Sequence, residues 1–447
     1  MIMNLIFQGY IVCKVTKHFV FDMTVWGILR CMELEWQAEE RQGGAVMEGL
    51  VYEMMLRDET VARVNMSNGE VSLVRMELLP LDFTVKSGDS FEDRLFNIAA
   101  FRDWCASRVL MMGQKHAKKI CNALAVSQEN STENRYRLAL AYHCSNLMDA
   151  YWVRKEGSPL AYGDVSLFRN TSRNVLTPVS LKGKVSSVFT RKLKNWSDIG
   201  ADGTLAKSWV RMENDGESGY FLYKESDNAA GEVLASEVLG MLGADAVVYH
   251  SVCEDGVTYS RCRCFTTERQ SFVPYHVYAA HYKADAMNRI RRQFPHEYAN
   301  LAVAAYLTGN EDLHDKNWGL LRDNVTGRIT GFAPYFDFDG CFLGYIASKD
   351  LYFLPECRFV LEDGSAVAVL NSDMDFDTEY EVEGISIEAA ALKYAPDCTF
   401  DFSGIELDKI PEKYRTEFAR RMGLVVERLA PERMLDSPEA VQDEMEL

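Results

Sequence analysis

The sequence predicts an α+β chain: a small mixed accessory unit, then a β-rich lobe, then a helical lobe. Three observations predict it: two separate groups of short strand-like runs, a loop-rich and then basic stretch between them, and a helical rhythm that dominates from His276 onward. With 447 residues and 47% apolar side chains, the chain has material for two or three domains with substantial cores.

Residues 1–46 carry no clear helical or strand rhythm and Met47 is itself a candidate initiator, which marks them as a leader or a start-site artefact. Their apolar run at 5–12 is interrupted by Gln8 and Gly9 and no basic residue precedes it, so it lacks the build of a signal peptide. From 47 to 175 the accessory α+β unit opens with strands at 51–56, 61–64 and 71–76, the last two joined at Asn68-Gly69, a pair suited to a tight turn. Helical patterns follow near 91–110 and 136–147, separated by the polar stretch 127–134. A loop at 157–178 rich in Gly, Pro, Asn and Ser gives way to the basic run 182–194, and this shift sets the boundary at 176.

The β-rich lobe, 176–275, begins with a hairpin of strands 208–212 and 219–224 around Glu213-Asn214-Asp215-Gly216. Leu234, Val238, Met241 and Leu242 then recur on one helical face, and two more strands are expected at 246–252 and 258–265. The helical lobe, 276–437, ends on a helix carrying Tyr414, Phe418, Met422, Val425, Val426 and Leu429 on one face, before an acidic tail at 438–447. No internal repeats are visible.

A formal charge of -18 argues against general attraction to nucleic acid or anionic membrane, because the field of the whole molecule repels phosphate. Any phosphate site must be local, and the basic run 182–194 and the cluster Arg289 to Arg292 read as solvated faces. Of the eleven cysteines only Cys262 and Cys264 are close in sequence, so neither a disulfide framework nor a zinc ribbon is indicated and reduced, cytoplasmic thiols are expected. No run approaches the roughly 20 apolar residues a membrane-spanning helix needs.

The chemistry concentrates after the apolar helix at 297–306, in a polar loop that places Asp312 five residues before Asn317. Phosphoryl transfer needs both types: an Asp to orient the acceptor hydroxyl, and an Asn to hold magnesium against the phosphates. A hairpin later, Asp337 offers the carboxylate that a hard magnesium ion prefers. Upstream, Lys224 ends a strand and is placed to neutralise phosphate charge, with Glu232 and Glu237 of the next helix as candidate partners. Most strand-end lysines are only solvated and most polar loops only cap a helix; the order of these residues along the chain lifts the chemical reading above that.

Asp312, His314 and Asn317, followed by Pro334 to Asp337, resemble the Asp-x-His-x-x-Asn loop and Pro-x-x-Asp metal motif of the HipA-like family of bacterial toxin kinases. The resemblance spans residues 176 to 345 and extends to about 435 as the helical lobe. It implies a divergent bilobal protein-kinase-like fold that uses ATP and Mg2+ to phosphorylate a serine or threonine of a protein. It also implies Asp312 as catalytic base, Asn317 and Asp337 as magnesium ligands and His314 as organiser of the loop. The family's Asn-Glu helix start, followed eleven residues later by Gly, is matched by Glu232 and Gly243 with Gly231 in the Asn position, which favours Glu232 over Glu237 as partner of Lys224. Gly200, Gly203, Thr204 and Lys207 stand where the family carries a phosphate loop, and the strand holding Cys262 and Cys264 stands where a kinase hinge meets adenine. The phrase at 147–152 resembles a segment of phage and Gram-positive relatives. A small antitoxin partner is implied as well, with no direct DNA contact by this chain.

Two readings compete. A metal-dependent phosphoester hydrolase would use Asp312, His314, Asp337 and Asp339, but leaves Lys224 and the glycine segment without a role. A non-catalytic nucleotide- or partner-binding module leaves Asp312 without one.

Overall fold

The computed structural model describes residues 50–83, 96–110, 112–124, 127–170, 176–184, 205–214, 217–345, 353, 358–360, 366–368, 381–383 and 385–429. The leader, the acidic tail, most of the basic run and Gly200, Gly203 and Thr204 lie outside them. The architecture is mixed, with helices packed on several antiparallel sheets.

The first sheet contains β1 (Val51–Leu56), β2 (Glu59–Asn65), β3 (Val71–Leu73) and β4 (Tyr151–Lys155), in the order β3-β2-β1-β4. Apolar side chains of β1, β2 and β4 form a core with α1 (Ile98–Ser107), α2 (Ala117–Leu124) and α3 (Thr132–Ala141), around Met54, Phe101, Trp104, Ile120 and Trp152. The three expected strands are present, though the third stops at Leu73 and Met76 already lies in a 3-10 turn, and β4 and α2 are additions. The helix expected to reach 147 stops at Ala141, because His143 and Cys144 adopt left-handed backbone (φ 58° and 55°) that a helix cannot continue through. Two short helices follow, α4 (Tyr162–Val165) and α5 (Thr177–Lys182), inside the stretch expected as loop and just beyond it.

The second sheet joins β5 (Lys207–Asn214), β6 (Glu217–Glu225), β7 (Tyr249–Glu254) and β8 (Val257–Arg263) in the order β5-β6-β8-β7. Its long hairpin matches the alternation seen in the sequence, with Lys207 directly opposite Lys224. Helix α6 (Ala229–Met241) crosses over it and buries Leu234, Val238 and Leu239. Ala246, expected to open a strand, makes only an isolated bridge to Tyr335, and the strand begins at Tyr249.

Helices α7 (Tyr275–Tyr282), α8 (Ala286–Gln293) and α9 (Pro295–Thr308) follow, but a third sheet is interleaved with them. It consists of β9 (Gln270–Pro274), β10 (Gly319–Asp323) and β11 (Ile329–Phe332), in the order β11-β10-β9. Helix α9 is buried on nearly every side, as its run of apolar residues requires. A small fourth sheet, β12 (Arg358–Val360), β13 (Ala366–Ala368) and β14 (Glu381–Glu383), precedes α10 (Ile387–Tyr394) and α11 (Glu412–Val426). One continuous core unites α6, α9, α10, α11 and the third sheet. Among the described residues no helix is long and apolar enough to cross a membrane.

Candidate functional site

Helix α9 ends at Gly309, whose left-handed φ of 58° lets the chain turn sharply out of the helix. Asn310 then orders the turn: its Oδ1 accepts the Asp312 N–H at 2.9 Å. Asn317 closes the loop, its Nδ2 donating to the Asp312 carbonyl at 2.9 Å and to Asp312 Oδ2 at 3.2 Å. With Nδ2 committed to Asp312, Oδ1 is the amide atom turned away from it. His314 braces the middle. Its carbonyl accepts the Asn317 N–H at 2.9 Å, its Nδ1 accepts the Lys316 N–H at 3.2 Å, and its Nε2 lies 4.0 Å from Asp312 Oδ2.

Lys224, almost fully buried near the end of β6, points its ammonium into three carboxylates. Nζ is 2.6 Å from Asp337 Oδ1, 2.8 Å from Glu232 Oε1 and 3.3 Å from Asp339 Oδ2. Glu232 is fully buried in the first turn of α6 and forms an ion pair with Lys224. Glu237 is exposed, so Glu232 is the partner that geometry selects. Gly231 leaves space for the Asn228 side chain: a Cβ there would stand 2.4 Å from Asn228 Oδ1. Asn228 Nδ2 in turn donates to the carbonyls of Asp339 and Cys341, each at 2.8 Å, and so ties the start of α6 to the segment after Asp337.

That segment is anchored from below. Tyr335 exchanges backbone hydrogen bonds with Asp245 and Val247 at 2.9 and 2.8 Å, and Phe338 is buried against Tyr249. Between them Asp337 holds a left-handed φ of 58°, uncommon for a residue with a side chain, and donates its N–H to Tyr249 Oη at 3.0 Å. Gly340 brings the two halves of the site together. A Cβ there would lie 2.7 Å from Asp312 N and 2.9 Å from Asp312 Cβ, so the Asp337 segment rests directly on the Asp312 backbone.

The charges respond to this crowding. Burial would lower the pKa of Lys224, but the attraction of Asp337, Glu232 and Asp339 wins and holds it well above the ordinary lysine range. Burial would raise Asp337, and Lys224 with Lys207 outweighs it, keeping the carboxyl below its usual value. Asp312 is raised by burial and by the neighbouring Asp339 and Asp337, against the pull of His314 and Lys224. Glu232 is raised by burial, with Lys224 opposing. Asp315, inside the loop, is pushed up to about 7 by burial, and its Oδ2 has no hydrogen-bond partner among the described residues.

The donor set suits a hard divalent cation. Carboxylate oxygens of Glu232, Asp337 and Asp339 lie within 4.8 Å of one another, and Asp339 Oδ1 is buried without a hydrogen-bond partner among the described residues. Asn317 lines the same small cavity as Phe336 and Phe338, on either side of Asp337.

Of the residues singled out in the sequence, Lys224, Glu232 and Asp337 meet directly, and Asp312, His314 and Asn317 form the adjoining loop. Lys207 adds its charge from the neighbouring strand. The backbone of Cys262 and the N–H of Cys264 are taken up in the sheet. Cys262 lies in the interior strand β8, flanked on both sides, and the Cys264 N–H donates to the Tyr220 carbonyl at 2.9 Å while its thiol packs against Thr266 and the Leu147 carbonyl. Sequence reasoning missed Asn228, Asn310 and Tyr249. Asn228 was findable as a polar residue at a helix start, and Asn310 as one following a Gly cap; nothing in the local sequence marks Tyr249.

No family model matches the chain, and no curated protein does. Among solved structures, the chain is similar to the Shewanella oneidensis MR-1 toxin–antitoxin system HipA, solved with HipB and its operator DNA. The TM-score is 0.41 at 12% identity, covering 84% of this chain and 96% of that one. It is also similar to a Helicobacter pylori proinflammatory kinase, CtkA, with a TM-score of 0.32 at 15% identity, covering 50% of this chain and 89% of that one. Both likenesses are loose, and no residue's role here rests on them.

Proposed function

We propose that this chain is an ATP- and Mg2+-dependent protein serine/threonine kinase, built as a divergent bilobal kinase fold with its accessory unit in front. The observation that carries the reading is the convergence of Lys224 on Glu232 and Asp337, beside the Asp312–Asn317 loop. A lysine oriented by a helix-borne carboxylate, next to a metal-binding Asp and an Asp/Asn loop, is the equipment phosphoryl transfer requires. In this reading 176–275 and 276–437 are the two lobes.

Asn317 and Asp337 would hold the magnesium, which supplies neutralising charge to the nucleotide phosphates when bound. Lys224 neutralises phosphate charge from the sheet side, and Glu232 fixes the direction in which its ammonium points. Asp312 accepts the proton of the acceptor hydroxyl, or orients that hydroxyl, while Asn317 and His314 fix its carboxylate. Lys207 adds positive charge beside Asp337, and on the family resemblance the glycine segment at 200–204, which lies outside the described residues, would serve as the phosphate loop.

The hydrolase alternative is disfavoured by the same geometry. The carboxylates that cluster are Glu232, Asp337 and Asp339, without Asp312 or His314, and a lysine fills their midst. On the family resemblance we further propose a protein substrate, a small antitoxin partner that would carry any DNA contact, and a cytoplasmic setting. Incubation with labelled ATP and magnesium tests the reading: transfer to a protein acceptor or to the chain itself is expected. No transfer together with no ATP-dependent thermal shift would overturn it.

A further inference from the structure

We infer that Arg322 is a positioning residue through which the first sheet holds the catalytic loop in register, an inference that rests on the kinase reading above. Asn317 lies two residues before β10, so whatever fixes β10 along its own axis fixes Asn317. The β10 backbone is paired on both edges, with Gly319 opposite Pro274 of β9 and Leu320 opposite Phe332 of β11. A strand's register is set by the side chains it buries on one face, which on β10 are Leu320 and Arg322.

Arg322 serves as a lock. It is 4% exposed, and its guanidinium reaches out of its own sheet into the unit formed by residues 50–170. Nη1 donates to the Leu79 carbonyl at 2.9 Å and to Tyr151 Oη at 2.6 Å, and Nη2 donates to the Glu77 carbonyl at 2.9 Å. Nε donates to the Gly327 carbonyl at 2.8 Å, at the turn between β10 and β11. Tyr151 passes the bond on, donating its own hydroxyl to the Leu78 carbonyl at 2.6 Å. A planar fork with five N–H groups can satisfy so many acceptors at once, and a lysine cannot.

The same unit also grips β9, the strand beside β10. The Met148 carbonyl accepts the Phe272 N–H at 2.8 Å, and Phe272 pairs with Leu321 of β10. The Leu147 carbonyl accepts the hydroxyl of Thr266 just before β9. At the β10–β11 turn, Gly327 has a φ of 71°, and a Cβ there would stand 2.2 Å from the Glu77 carbonyl oxygen, so the turn is seated without slack. Two adjacent strands of the third sheet are therefore held by carbonyls of the first unit, and the second of them leads directly from Asn317. Lys224 and Glu232 sit on other elements, so this brace acts on the loop and not on the lysine side of the site.

The test compares full-length wild type with Arg322→Lys and Tyr151→Phe, both assayed well below their unfolding temperatures. For Arg322→Lys, which keeps the charge and loses the fork, kcat falls about tenfold and the magnesium needed for half-maximal transfer rises severalfold, while KM for ATP stays within about twofold. Hydrogen–deuterium exchange quickens in peptides covering 310–319 and is unchanged across α6. A role confined to stability would lower the melting temperature and leave the magnesium demand and local exchange as in wild type, and that result overturns the inference. If Arg322→Lys does not fold, Tyr151→Phe decides by the same readouts, since it removes one acceptor and leaves the three carbonyls. If wild type itself transfers no phosphate, the kinase reading fails, and the exchange comparison alone judges Arg322.

Discussion

Lys224 faces three carboxylates with one positive charge, and that imbalance governs what the site will accept. Replacing it with Met removes the only ammonium among Glu232, Asp337 and Asp339 that the described residues provide at bonding distance. Lys224→Met is expected to bind Mn2+ or Mg2+ more tightly than wild type and yet transfer phosphate at least about a hundredfold more slowly; paramagnetic relaxation of Mn2+ solutions reports the first and labelled ATP the second. Metal-free stability in urea should fall by about 3–5 kcal/mol, as when one partner of a buried ion pair is removed. Asp312→Ala should cut transfer by about 10²–10⁴ while the ATP-dependent thermal shift persists. Because burial raises the Asp312 pKa, activity should climb with pH through a value above its ordinary 3.8 and then level off. A pH profile that falls over that range would exclude Asp312 as the base.

Helix α11 braces the site from behind through one buried side chain. Arg421 is fully buried, donates to the Tyr306 carbonyl at 2.6 Å and to the Tyr345 carbonyl, and stacks over the Tyr345 ring at 4.0 Å. It thus joins the end of α9, which leads to Asp312, to the segment that follows Asp337. Its counter-ion Glu417 is hydrogen-bonded by Arg420 and Arg421, which brings its pKa down to about 2 from an ordinary 4.5. A depressed carboxyl stabilises the fold above the unfolded-state value and ceases to as pH falls through the folded-state one. Glu417→Gln should therefore be less stable than wild type by about 1–2 kcal/mol near neutrality, after allowance for solvent screening, with the difference vanishing between about pH 4.5 and 2. Acid unfolding curves of the two proteins check this. A second element-level prediction concerns Gly340. Ala there must displace the Asp312 backbone, so Gly340→Ala should lose most transfer activity while keeping a cooperative unfolding transition, read by calorimetry beside the kinase assay.

At the scale of the whole molecule, the sequence revealed the parts whose signal is local. The β5–β6 hairpin, α6 and α11 announced themselves by periodicity, and the Asp312 loop by its polar density after an apolar helix. Strand β4 did not, because Tyr151 to Val153 are all buried and lack strand alternation. Helix α2 is only eight residues long, too short for its apolar face to stand out. Asp339 drew attention only as part of the hydrolase reading, since its place beside Lys224 depends on a fold that brings residues 115 positions apart into contact. Arg322 was invisible for the same reason: its acceptors in the first unit lie 171 to 245 positions away. A chain shortened to begin at 176 would uncover Trp209 and Tyr220, which are buried together with Leu147 and Leu167, and is expected to aggregate more readily than the full chain, as size-exclusion chromatography would record.

The Gly327 turn, set against the Glu77 carbonyl, has a bearing on how this protein tolerates variation. In a library of single substitutions selected for activity, the turn around 327 should appear as a narrow band of intolerance remote from the phosphate-handling residues, flanked by the permissive, exposed Val325. Inheritance of the two parts should then be joint, since a front unit exchanged for another would have to bring a carbonyl turn of the same shape to meet that glycine.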